Sequence, residues 1–176
     1  MDTPASTPDP LATPLEADTP REVRLDTVAA QTTAIDTLVG FARARISVFD
    51  IDLSEGGWST EKRTGALAAF LRIPNARLEI IVHDTRWIET SAPRLASLLR
   101  TYGHAMTVYR TGEGARTAMD PLLIVDQRHF LHRYHIDQPR ATLAIAMPQA
   151  TSPLATRFDE IWATGEPGLT GTVLGL

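Results

Sequence analysis

Three short segments, "RISVFDIDL" from Arg45, "ARLEIIVHD" from Ala76 and "AMTVYR" from Ala105, are near-continuous runs of β-branched, aromatic and aliphatic residues. Each follows a stretch whose apolar residues recur at helical spacing. Strands buried on both faces read this way, because helices above and below a sheet leave no face for polar side chains. This repeated helix-then-strand order constrains the chain more than any other feature.

The first helix is read from Val28, Ala29, Ile35, Leu38, Val39 and Ala42, running through Ala44. Ser59 and Thr60 are placed to cap a second, which ends near Leu71 with Leu67, Ala68, Phe70 and Leu71 inward,. "TRWIETSAPRLASLLRTYG" reads as a third helix that restarts at Pro93 and stops at Gly103,. After the loop "TGEGARTAMD" come three strand candidates, "PLLIVD", "HFLHRYH" and "ATLAIAM". A last helix from about Ser152 to Ala163 puts Leu154, Phe158, Ile161 and Trp162 on one face,. The expected architecture is α/β, a mixed and mostly parallel central sheet with helices on both faces. Ligands of such sheets collect at the carboxyl ends of strands. Those ends carry Asp50, Asp52, His83, Asp84, Arg110 and Asp126.

Residues 1–20 contain Thr3-Pro4, Thr7-Pro8, Thr13-Pro14 and Thr19-Pro20 with almost no large apolar side chain, too little to offset chain entropy,. They are expected to form a disordered tail, followed by one α/β domain over residues 21–168 and a flexible tail over 169–176. With 176 residues and 43% hydrophobic content, one core is the reading,. No apolar run approaches the ~20 residues needed to cross a bilayer, and the first residues are acidic, so a cytoplasmic protein without a membrane partner is expected. Cysteine is absent, which excludes disulfides and thiolate nucleophiles,. The net charge of −4 equals the four carboxylates of the first twenty residues, so the rest is neutral overall. An extended surface for wrapping nucleic acid is therefore not expected, although a local Arg patch is compatible with this balance.

The stretch "AMDPLLIVD", the context of the strand "ARLEIIVHD", the helix "PRLASLLRTYG" with its following strand, and the closing "RFDEIW" with Phe158 and Trp162 together resemble one half-domain of the phospholipase D superfamily, over roughly Leu25 to Pro167. That family carries a strand-borne His-x-Lys-x4-Asp motif. With its Asp on Asp126, the His position falls on Met119 and the Lys position on Pro121. The resemblance implies the family's fold and a homodimer as partner, but the chemistry needs a His nucleophile and a Lys to hold phosphoryl oxygens. Methionine and proline supply neither. No catalytic residue, cofactor or metal is therefore expected, and Asp126 is expected to remain as a structural hydrogen-bonding group.

The function expected is a binding or assembly module whose ligand is a phosphate-containing molecule, a nucleic acid or a protein partner. Its candidate contacts are His83, Asp84, Arg110, Arg116, Arg128, Arg133 and His135,. A rival is a metal-dependent phosphoesterase relocated to Asp50, Asp52, His83 and Asp84 or to His129, His132 and His135. A third reading is an adaptor that works through the Thr-Pro tail. Strand alternation puts His129, Arg133 and His135 on one face and Arg128, His132 and Tyr134 on the other, so three histidines cannot converge from a regular strand. Asp84 and Asp52 have a plainer use as caps of the turns that follow them.

Overall fold

Val23 and Leu25 are buried while Glu22 and Arg24 are exposed, so Arg21–Leu25 forms a strand, β1, on a period of two,. The computed structural model describes residues 8–171. Thr27 caps α1 (Val28–Phe41), its hydroxyl accepting from the Ala30 N–H at 3.1 Å,. Then come β2 (Arg45–Asp50), α2 (Glu61–Leu71, capped by Thr60) and β3 (Arg77–Val82). The third helix is split into α3 (Arg86–Ser91) and α4 (Pro93–Thr101), since Pro93 cannot continue a helix but fits the first turn of a new one,. β4 (Met106–Arg110) leads through a loop to β5 (Leu122–Val125), β6 (His129–His135) and β7 (Gln138–Ile145), then to α5 (Pro148–Ala163) and β8 (Glu166–Leu169).

The eight strands form one sheet in the order β1-β7-β6-β5-β2-β3-β4-β8. The sheet is mixed, as expected, but not mostly parallel: among the described residues only β2–β3 and β3–β4 pair in parallel. The reason is the length of the later connections. Parallel neighbours need a crossover of a dozen residues or so, whereas β5 and β6 are joined by the three residues Asp126, Gln127 and Arg128, the first two with positive φ (51° and 58°), a tight hairpin turn,. β8 was not foreseen because its sequence, "EPGL", reads as a turn; an edge strand tolerates proline because one side of it needs no donor,.

Two cores result. On one face α1, α2 and α4 bury Leu38, Leu67 and Leu95 against Val48, Leu78, Ile80 and Leu143. On the other, α5 buries Phe158 and Ile161 against Phe49, Ile81, Leu122 and Phe130. α5 begins one turn earlier than expected, with Pro148 at its start, and accommodates Pro153 within its second turn,. Helices thus stand on both faces.

Part of the expected N-terminal tail carries contacts. Leu11 and Leu15 pack against the first core, and the Arg21 guanidinium donates to the carbonyls of Pro10 and Thr13, both at 2.9 Å. Leu169, at the other expected boundary, is buried and pairs with Val108. The remainder of both tails, residues 1–7 and 172–176 and with them Thr3-Pro4 and Thr7, lies outside the described residues.

Candidate functional site

β2, β3 and β4 point the same way, so their carboxyl ends bring Asp50, His83 and Arg110 to one edge of the sheet. β5 runs the opposite way, with Leu122 beside Phe49 and Val125 beside Ile46. The segment Met119–Pro121 therefore arrives at that same edge, while Asp126 is carried to the far one. There its carboxylate accepts from the backbone N–H groups of Arg43, Ala44 and Arg45, each at 2.8 Å. It ties the hairpin turn to the start of β2, which satisfies donors that the turn into a strand would leave unpaired.

His83 is fully engaged. Its Nε2 lies 2.6 Å from the Ala118 carbonyl, which can only accept, so Nε2 carries the proton; Nδ1 then accepts from the Thr111 hydroxyl at 2.6 Å in the neutral ring,. The ring clips both ends of the loop from Thr111 to Ala118. Beside it a groove of about 430 Å³ is lined by His83, Asp84, Thr85, Arg86, Glu89, Arg110 and Arg116. Hydrogen bonds from Arg86 hold the Asp84 carboxyl at about 2. Asp84 also accepts from the Arg86 N–H at 2.9 Å, the capping use, and Asp52 likewise accepts from Ser54. Arg110 has only a loose ion pair with Glu166 at 3.7 Å, and Arg116 gives its Nε to the Thr111 carbonyl at 3.2 Å.

On the α1 face of the same edge, Asp50 and Pro121 line a mainly apolar cavity of about 40 Å³ with Val48, Trp58, Leu123, Leu131 and Arg133. That space admits a few waters at most. Burial pushes the Asp50 carboxyl up to about 7, against a hydrogen bond from the Ile51 N–H. Arg133 brings no free charge here. Its guanidinium donates to the Gln138 and Ile136 carbonyls and to Glu55, fixing the β6–β7 hairpin.

On the α5 face lies a cluster that residue spacing did not single out. His132 donates from Nε2 to Asp120 at 2.8 Å, and Arg157 of α5 grips the same carboxylate through two nitrogens, at 2.9 and 2.5 Å. Burial raises the Asp120 carboxyl, but these two partners outweigh it and hold it at about 2. The available signal was parity: Asp120 and Leu122 share a face, and Leu122 is paired with His132,. Because its folded value lies below the ordinary ~3.9, Asp120 contributes stability above about pH 4 that is lost as pH falls toward 2. Asp120→Asn is expected to cost about 2 kcal/mol at pH 7. Urea unfolding measured from pH 7 down to pH 3 checks this; a gap that does not narrow in acid would contradict it.

Of the other residues expected at the site, Arg128 sits at the far edge with Asp18 at 3.2 Å, and His129 beside it is buried against Phe41. His135 faces only Asp137, at 3.6 Å. The groove gathers His83, Asp84, Arg110 and Arg116 and leaves out Arg128, Arg133 and His135. Among the described residues no three His, Asp or Glu side chains converge to hold a metal ion, and no helix is long and apolar enough to cross a membrane.

Several solved structures share this fold. Nuc from Salmonella typhimurium, a phospholipase D family member, superposes with a TM-score of 0.60 at 11% identity, covering 86% of this chain and 100% of that one. NucT from Helicobacter pylori gives 0.56 at 10% identity, over 85% and 100%. TrmBL2, an archaeal chromatin protein with a novel mode of DNA binding, gives 0.63 at 12%, over 90% of this chain and 57% of that one. At such identities the likeness is one of fold. No curated protein sequence matches the chain. A family model does, over residues 26–170, and the chain accordingly belongs to the family described as Domain of unknown function (DUF7931), with a phospholipase D-like fold.

Proposed function

We propose that the protein is a non-catalytic, phospholipase D-like binding module that takes a phosphate-containing ligand in the groove at the ends of β3 and β4. The observation that carries this reading is Pro121. It stands where the resemblance places a phosphoryl-holding lysine, and it faces a cavity of about 40 Å³ that is too small for a phosphodiester,. Met119 stands at the nucleophile's place, and the nearby imidazole of His83 spends both nitrogens on the loop. Against this, the neighbouring groove of about 430 Å³ has the size of a small-molecule site and presents Arg110 and Arg116 to an anion, beside the Arg86–Asp84 pair,. A homodimer, pairing two copies through this edge inside the cytoplasm, fits the same reading, and the DNA-binding chromatin protein among the fold neighbours favours a ligand with a phosphate backbone.

Calorimetric titration of inorganic pyrophosphate into the purified protein tests the groove. Saturable binding is expected, weakened about tenfold, or 1.4 kcal/mol, when Arg110→Ala and Arg116→Ala are combined. Equal affinity in that variant would remove the groove from the proposal. In the same preparation a chromogenic phosphodiester should not be turned over with Mg²⁺, Mn²⁺, Zn²⁺ or chelator. Turnover lost on His83→Ala or His132→Ala would overturn the non-catalytic reading in favour of a relocated site, and sedimentation at monomer mass would remove the dimer.

A further inference from the structure

The half of the sheet that α5 leaves bare carries a second surface, separate from the groove. α5 packs on β5 and β6 and its core takes in Ala144 of β7; from Thr142 outward, and across β1, the same face is open. The register sets its layout: Thr142 pairs with His132 on one side and with Arg24 on the other, so the three side chains form a row across β6, β7 and β1. Neighbouring strands are about 4.8 Å apart, which puts Arg24 about 10 Å from His132. Along the strands from that row lie Tyr134 and Arg140. Arg140 is exposed beside Tyr134, where a register shift between Arg133 and His135 interrupts the β6–β7 ladder,.

Tyr134 is the exposed large aromatic among the described residues, at 45%. Its hydroxyl is hydrogen-bonded to Thr142 on the neighbouring strand, and the His132 ring meets it edge-on at 5.8 Å and 83°. Tethered at its far end and braced on its side, the ring is laid across the strands with one face to solvent. His132 is itself fixed by Asp120 and Arg157, so the brace is rigid. The side chains of Arg24 and Arg140 are exposed and form no ion pair or hydrogen bond with any described residue; Glu22 is the acid on this face whose side chain is likewise unpaired among the described residues. The patch is therefore net basic and built around one braced aromatic ring. A protein partner would want an apolar centre with a polar rim, and the surroundings of Tyr134 are Thr, His and Arg.

We propose that this face binds single-stranded nucleic acid, with a base stacked on Tyr134 and the flanking phosphates held by Arg24 and Arg140. Stacking is open to any base but only when the strand is unpaired, and the two basic side chains, both on the β7 and β1 side of the ring, track the backbone that leads away from the stacked base,. A duplex offers phosphates without base faces, so it would use the arginines and not the ring.

The test is anisotropy of a fluorescein-labelled oligothymidylate of about twelve nucleotides, with the full chain at low salt. Binding is expected to weaken about tenfold or more with Tyr134→Ala, to survive largely in Tyr134→Phe, and to lose about 0.7 of its logarithmic salt slope with each of Arg24→Ala and Arg140→Ala. Circular dichroism and urea unfolding of each variant separate a lost contact from a lost fold. Failure of the oligonucleotide to bind, equal binding in Tyr134→Ala, equal or tighter binding of the matching duplex, or weakening that follows Arg110 and Arg116 instead would each overturn the proposal. The last outcome would move the ligand to the groove.

Discussion

Asp50→Asn is expected to make the protein more stable at pH 8 and to remove most of the pH dependence that the native chain shows between pH 4 and 7. Burial beside Val48, Trp58 and Leu123 pushes the Asp50 carboxyl to about 7 in the folded state, against an ordinary ~3.9 in the unfolded chain,. The folded state then holds a proton that the unfolded state gives up. Stability from this group is complete below about pH 4 and declines as pH rises, by up to about 4 kcal/mol once pH passes 7. An amide has the shape of the carboxyl without a charge to desolvate, so the variant does not suffer that decline. Urea midpoints at half-unit steps from pH 4 to 8 decide the matter. Parallel curves for the two proteins would mean that water reaches the carboxylate through the small cavity.

Asp126→Ala is expected to destabilise the protein by about 3 kcal/mol, because three N–H donors at the start of β2 lose a charged acceptor together,. The loss is felt twice, since the same carboxylate anchors a turn whose first two residues sit in the left-handed region, where aspartate is better tolerated than most residues,. Asp126→Asn retains an acceptor and should cost less than half as much. Equilibrium urea unfolding with an unchanged slope and a lowered midpoint is the expected form. A midpoint within error of the native protein would make this carboxylate dispensable.

What could be read from the sequence followed from period and burial. β2, β3 and β4 were legible because both faces of each are covered, so nearly every residue of "ISVF", "LEIIV" and "MTV" is apolar or β-branched. β1 was not, since "REVRL" alternates over five residues only, which a helix start imitates,. Strand direction was misjudged for the later half: apolar runs report burial and not orientation, and the turn at Asp126 and Gln127 lacks the Asn-Gly or Asp-Gly pair that announces a hairpin,. Asp126 lies at the far edge of the sheet from the candidate site, where it accepts from three backbone N–H groups. The cluster of Asp120, His132 and Arg157 was not legible, because its members come from the start of one strand, the middle of another and a helix, and only the register brings them together.

The placement of β1 bears on the order in which the chain can acquire its structure. Arg21 finds its partner in Ile145, so during synthesis β1 must wait for almost the whole domain to emerge, while β2, β3 and β4 with their intervening helices pair over short loops,. For that interval β1 is an unmated strand beside a growing sheet, open to pairing with another nascent chain. Its composition suits the wait: three of its five residues, Arg21, Glu22 and Arg24, are charged. The strand that waits longest for its partner thus also has a sequence that discourages premature company.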